Sequence, residues 1–133
     1  MSEALRIRIE SDADIARARR LGRDVAAALP FTTTDLTVIE TAIAELARNI
    51  VSFAAAGEIR MSVLTRQGRE GLEIVAQDAG PGIHDIKLVL ADGFSTGGRL
   101  GLGLSGVKRL MDEFKITSQV GVGTCITVHK WAR

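Results

Sequence analysis

The stretch Thr32–Gly57, TTTDLTVIETAIAELARNIVSFAAAG, governs how the rest of the chain is read. Thr32 followed three residues later by Asp35 has the form of a capping box. Leu36, Ile39, Ile43, Leu46, Ile50 and Phe53 then step by three and four, the spacing of one apolar helix face. This predicts a helix running to Ala56, about 35 Å long, with Gly57 placed to end it. Glu45 and Asn49 stand four residues apart, so they stack on one side of that helix, at the edge of its apolar stripe.

Upstream, Leu5, Ile7 and Ile9 alternate with Arg6, Arg8 and Glu10, the period of a strand with one buried face. Ser11 or Asp12 can cap a following helix, with Asp14 in its first turn. Ile15, Ala18, Leu21, Val25 and Leu29 give that helix its stripe, and Pro30 stops it. Downstream, strands are predicted at Ile59–Thr65 and Leu72–Asp78, joined by a turn around Gly68. From Ala79 to Gly103 the texture changes: this segment holds half of the 14 glycines and the second of the two prolines. Within it the apolar run Ile86–Leu90 is long enough for one or two helical turns. So irregular a stretch inside a compact domain is more often functional than not. Val107, Leu110, Met111 and Phe114 predict another helix, and Lys115–Gln119 and Cys125–Trp131 a closing pair of strands around Val120–Gly123. Hairpins with helices between them imply a two-layer α/β sandwich with a mixed sheet, not a doubly wound parallel one.

A length of 133 residues suits one domain, and 46% hydrophobic with 25% charged residues is a globular composition. With aromatics at only 4%, aliphatic side chains must build the core. The net charge of +1, from 17 basic and 16 acidic residues, argues against a nucleic-acid-binding surface. The local cluster Arg17, Arg19, Arg20 and Arg23 reads as a solvated helix face. Cys125 has no second cysteine to pair with and is expected to serve packing. The start MSEALRIRIESD carries no signal-peptide pattern, and no long apolar run follows, so a cytoplasmic protein without membrane association is expected.

Four stretches can carry chemistry. A carboxylate at Glu45 can serve as a general base, and the amide oxygen of Asn49 can ligate Mg²⁺, although the pair also fits an ordinary polar flank. Asp78-Ala-Gly-Pro-Gly82 closes a strand with a sharp turn, where Gly80 and Gly82 let a ligand approach the backbone and Asp78 can accept a hydrogen bond from an exocyclic amine. Gly97-Gly-Arg-Leu-Gly101-Leu-Gly103-Leu104 precedes a helix, an arrangement whose backbone amides favour phosphate. It is neither a Walker A loop nor a dinucleotide fingerprint. Gly121-Val-Gly-Thr124 by itself is a hairpin turn. The four occur in order on matching elements, and that order says more than any one of them.

This ordered set resembles the ATP-binding (Bergerat) fold of the gyrase, heat-shock chaperone, histidine-kinase and MutL (GHKL) superfamily, over nearly the whole chain. More narrowly, TAIAELARNIVSFAAAG, DAGPGI, DGFSTGGRLGLGLSGVKRLMDEFKI and the terminal Lys130-Trp131 resemble its stressosome serine/threonine switch kinases. The resemblance implies a largely antiparallel sheet with helices on one face. It implies ATP and Mg²⁺ as cofactors, with Asn49 as the Mg²⁺ ligand and Glu45 as the base. Asp78 becomes the adenine-binding aspartate beside Gly80 and Gly82, with Thr124 near adenine. Gly101 and Gly103, with Leu102 and Leu104, lie under the phosphates. The span 84–100 becomes an ATP lid, from which Ser95, Thr96 and Arg99 approach the phosphates. The implied substrate is a serine on a STAS-domain partner, and the implied output is activation of a phosphatase or another protein on release. A different class of function, a binding module that sequesters a sigma factor or its antagonist, shares the same nucleotide motifs. No phosphoacceptor-histidine helix is found; His84 reads as a loop residue and His129 as a lone structural histidine.

Overall fold

The computed structural model describes residues 2–83, 86–90 and 103–133. The elements run β1 (Ser2–Ile9), α1 (Asp12–Ala27), α2 (Thr33–Phe53), β2 (Gly57–Arg66), β3 (Arg69–Asp78), α3 (Ile86–Val89), α4 (Gly103–Leu110), β4 (Glu113–Gln119) and β5 (Gly123–Trp131). The strands form one sheet in the order β1-β2-β3-β5-β4, with helices packed against it as the two-layer reading requires.

Every pairing among the described strands is antiparallel, so the mixed pairing expected from the sequence is not found there. The α1–α2 pair returns the chain to the end of the sheet it left, which sets Ile9, the last residue of β1, opposite Gly57, the first of β2. The chain also runs in the same direction along β3 and β4, but β5 lies between them and pairs with both.

Both helix starts form as their end residues dictate. The carboxylate of Asp14 accepts from the backbone amides of Glu10 at 2.8 Å and Ser11 at 3.2 Å, closing α1. The Glu10 amide is the main reason its carboxyl is held below the usual carboxylate range. Thr32 Oγ1 accepts from the Asp35 amide at 3.0 Å while Asp35 accepts in return from the Thr32 amide at 3.4 Å. Of the basic cluster on α1, Arg17 pairs with Asp14 and Arg23 reaches across to Glu40 on α2.

Two helix ends differ from expectation. The helix α2 stops at Phe53, where Ala54 caps it and Ala55 turns into the left-handed region at φ 68°; Gly57 opens β2 and does not end the helix. Phe114 belongs to β4, not to α4. The Met111 amide still bonds Val107 in helical fashion, but the Asp112 amide bonds the carbonyl of His129 at 3.0 Å and draws the chain into the sheet.

The core lies between the layers. Ile7 and Ile9 of β1, Ile59 and Met61 of β2, Leu72 and Ile74 of β3, and Ile126 and Val128 of β5 face Ile39, Ile43, Leu46 and Ile50 of α2, all essentially fully buried. Each such side chain contributes about 1.5–3 kcal/mol by leaving water. At Gly22 the helix α1 comes so close that an added Cβ would lie 2.3 Å from Ile43 Cδ1 and 2.9 Å from Met61 Cε. Gly22→Val is therefore expected to cost about 1–3 kcal/mol by overpacking, read as a lowered urea midpoint. An unchanged midpoint would mean that Ile43 and Met61 move aside freely.

Candidate functional site

The helix α2 carries Glu45 and Asn49 one turn apart, and both are buried, at 9% and 4% exposure. They flank the apolar stripe, and α4 packs against α2 with its first residue at Glu45. The backbone amide of Gly103, the first residue of α4, donates to Glu45 Oε2 at 3.1 Å. The other carboxylate oxygen, Oε1, is paired with the guanidinium of Arg48. Among the described residues the side-chain amide of Asn49 has no hydrogen-bond partner.

At the end of β3, Asp78 stands between Gly57 of β2 and Thr124 of β5. Its Oδ1 accepts from the Gly80 amide at 2.9 Å, which folds the Asp78–Gly82 turn back on its own carboxylate. Gly82, at φ +80°, completes that turn in a conformation other residues rarely adopt. Gly123 approaches from β5 so closely that a Cβ there would meet the Asp78 carbonyl oxygen at 2.2 Å. Gly57 and Gly123 thus add no side chain beside the end of this strand, while Thr124 stands opposite Asp78. A groove of about 490 Å³ opens here, lined in part by Asp78, Ser118 and Thr124.

Ser118 is a site residue that the sequence reading missed. Its hydroxyl accepts from the Ile83 amide at 2.8 Å and donates to the Gly123 carbonyl at 3.2 Å. That leaves the Thr124 hydroxyl, 2.8 Å away, as the donor to Ser118. One side chain thus ties the turn after β3 to the β4–β5 hairpin. The available signal was a polar residue on the face of β4 that otherwise carries Phe114 and Ile116.

The other expected positions separate into two groups. Leu104 is 1% exposed and packs in the core, beneath the start of α4. Ser95, Thr96, Arg99, Gly101, Leu102 and His84 lie outside the described residues, as does most of the span 84–100; within that span Ile86–Val89 forms α3, as the apolar run implied. His129 is not a lone histidine. On the opposite face of the sheet its two ring nitrogens lie 2.9 Å from Glu73 and 2.8 Å from Glu113, and its ring stacks on Trp131. The neighbouring Lys130 donates to the Leu110 carbonyl at 3.3 Å, and Asp112 accepts from the Trp131 amide at 2.8 Å. The terminal Lys-Trp pair thereby fixes the C-terminal end of the helix whose other end touches Glu45.

A buried acidic–amide pair that meets a helix N-terminus, together with a strand-end aspartate, is a set of groups suited to a nucleotide. The sequence pattern of the family described as histidine kinase-, DNA gyrase B-, and HSP90-like ATPase matches residues 34–133. The chain belongs to this ATPase family. It is 52% identical to serine/threonine-protein kinase RsbT of Bacillus subtilis (strain 168), over 133 residues and the full length of both chains, which places it on the RsbT branch. It is 28% identical to the anti-sigma F factor of Caldanaerobacter subterraneus subsp. tengcongensis over 120 residues, 86% of this chain and 82% of that one. Among solved structures, the RsbU and RsbW domains of a Mycobacterium tuberculosis protein match 98% of this chain with a TM-score of 0.63 and 18% identity; this chain spans 33% of that one. The mycobacterial sensor histidine kinase MprB matches 97% of this chain and 99% of its own with a TM-score of 0.59 and 19% identity. Both show the ATPase fold. Among the described residues no helix is long and apolar enough to cross a membrane.

Removing the Ser118 hydroxyl should loosen the turn after β3. Ser118→Ala is expected to lower stability by about 1–3 kcal/mol and to speed hydrogen exchange at the Ile83 amide more than at amides within β2. Unchanged protection of Ile83 would show that the turn is held without Ser118.

Proposed function

We propose that this ATPase-family chain is an Mg²⁺-dependent kinase that phosphorylates a serine on a STAS-domain partner protein, of the RsbS or RsbR type, in a cytoplasmic stress-signalling module. The observation that carries the proposal is the buried pair Glu45 and Asn49, one helical turn apart, with the first amide of α4 pointing into it. The full-length 52% identity to a serine/threonine-protein kinase supports transfer to protein rather than simple hydrolysis.

In this reading the whole chain acts as one ATP-binding domain, with 84–100 as its lid. Asp78 keeps Oδ2 without a partner among the described residues, and so can accept from the exocyclic amine of adenine. Gly80 and Gly82 shape the adenine side of the site, and Thr124 lines it. Gly101, Leu102, Gly103 and Leu104 supply the backbone near the phosphates, with Ser95, Thr96 and Arg99 reaching from the lid. Asn49 suits Mg²⁺: it offers an amide oxygen that no described residue occupies. Magnesium commonly takes one or two protein oxygens and completes its shell with water and substrate phosphate. When bound, the ion would neutralise charge on the phosphates. Glu45 would accept the proton of the attacking serine hydroxyl.

The anti-sigma F relative favours a second reading, in which ATP serves a binding module that sequesters a sigma factor or its antagonist. The RsbU and RsbW domains that share one chain in the M. tuberculosis structure are consistent with a further role, activation of an RsbU-like phosphatase once this chain leaves its STAS partner.

Incubation with Mg²⁺, ATP and a STAS-domain partner, read by mass spectrometry, is expected to yield phosphoserine on the partner, lost with Asn49→Ala. ATP binding without transfer would leave the binding module as the reading. Asp78→Asn should weaken ATP affinity in calorimetry, and unchanged affinity would remove Asp78 from the site. Glu45→Ala should slow transfer by roughly 10²–10⁴-fold while sparing ATP binding; full activity would end its role as base.

A further inference from the structure

The Glu45 carboxylate is held at both oxygens, and its two partners differ in kind. Arg48, which takes Oε1, sits three residues further along the same helix, so α2 itself fixes their separation. Gly103, which donates to Oε2, belongs to α4 and lies 58 residues away in sequence. The first contact joins neighbouring side chains on one helix face, whereas the second depends on where the start of α4 lies. The Glu45 side chain is 10% exposed and Arg48 is 28% exposed, so their attraction is less screened than in a surface pair. A general base needs one oxygen within hydrogen-bond reach of the proton it removes. With Oε1 paired to Arg48, Oε2 is the oxygen left to serve.

We propose that Arg48 is a positioning residue for phosphoryl transfer: it anchors Oε1 of Glu45 so that Oε2, on the side of the Gly103 amide, is the oxygen that takes the proton. This rests on the kinase reading above. As the serine oxygen bonds the γ-phosphorus, its proton passes to Oε2, and the P–O bond to ADP breaks with its electron pair leaving on ADP. Arg48 touches neither substrate nor phosphate in this scheme. It acts through the orientation of one carboxylate.

The test is a mutant cycle in the STAS-partner transfer assay, using the full chain with Arg48→Ala, Arg48→Lys, Glu45→Gln and the Arg48→Ala/Glu45→Gln pair. Arg48→Ala is expected to lower kcat by about 10- to 100-fold, the scale of a small misplacement of a reacting group, with KM for ATP within about twofold. Arg48→Lys should recover most of the loss. In the Glu45→Gln background, Arg48→Ala should have no further effect, because there is no longer a base to orient. Full kcat in Arg48→Ala, or an equal loss in both backgrounds, overturns the positioning role while leaving the kinase reading intact. Absence of transfer by the unmodified chain overturns the kinase reading itself. If Arg48→Ala does not fold, Arg48→Gln takes its place in the cycle, and thermal melting of every variant separates lost stability from lost orientation.

Discussion

The burial of α2 on two sides is the constraint from which the rest of the architecture follows. One side, built from Ile39, Ile43, Leu46 and Ile50, is apolar and has to meet the sheet. The adjoining side carries Glu45 and Asn49, both buried, and the start of α4 meets it at Glu45. A buried carboxylate is costly unless its oxygens are satisfied. Here the satisfaction comes from Arg48 on the same helix and from the Gly103 amide at the start of α4. The polar side of α2 therefore helps to place α4, and α4 is held at its other end by Lys130 and Asp112.

The sheet supplies the second fixed point. The strand β3 is central, paired on both sides, and its final residue Asp78 comes to rest between β2 and β5. Its own turn amide holds one oxygen, and Ser118 holds the turn to the neighbouring hairpin. The two fixed points belong to different layers, α2 in the helical layer and β3 in the sheet. A ligand that uses both has to lie where the layers meet.

Much of this was legible in the residues. The period of three and four in α2, the Thr32–Asp35 box, and the alternation of β1 gave elements whose existence depends only on local spacing, and they form where that spacing places them. Helix ends were less legible, because they are set by contacts from elsewhere. Gly57 looks like a helix terminator, yet α2 turns at Ala55 and Gly57 is drawn into pairing with Asp78. Phe114 continues a helical period, but Asp112 bonds the backbone of β5 and ends that helix earlier. His129 looked solitary because its carboxylate partners, Glu73 and Glu113, come from two other strands.

The sequence by itself determined which side chains are able to do chemistry: a carboxylate and an amide one turn apart, an aspartate at a strand end, and glycines where a chain must turn or approach closely. These are properties of spacing and residue type, fixed within a few residues of each other. Only the tertiary structure decided that α4 would begin against Glu45, that the Gly103 amide and Arg48 would divide the oxygens of that carboxylate, and that Ser118 would join Ile83 to the hairpin carrying Thr124. The bonds from Gly103 to Glu45 and from Ile83 to Ser118 span 58 and 35 residues, and a hydrogen bond over such a separation leaves no periodicity to read. It exists because burial left each polar group with few partners within reach.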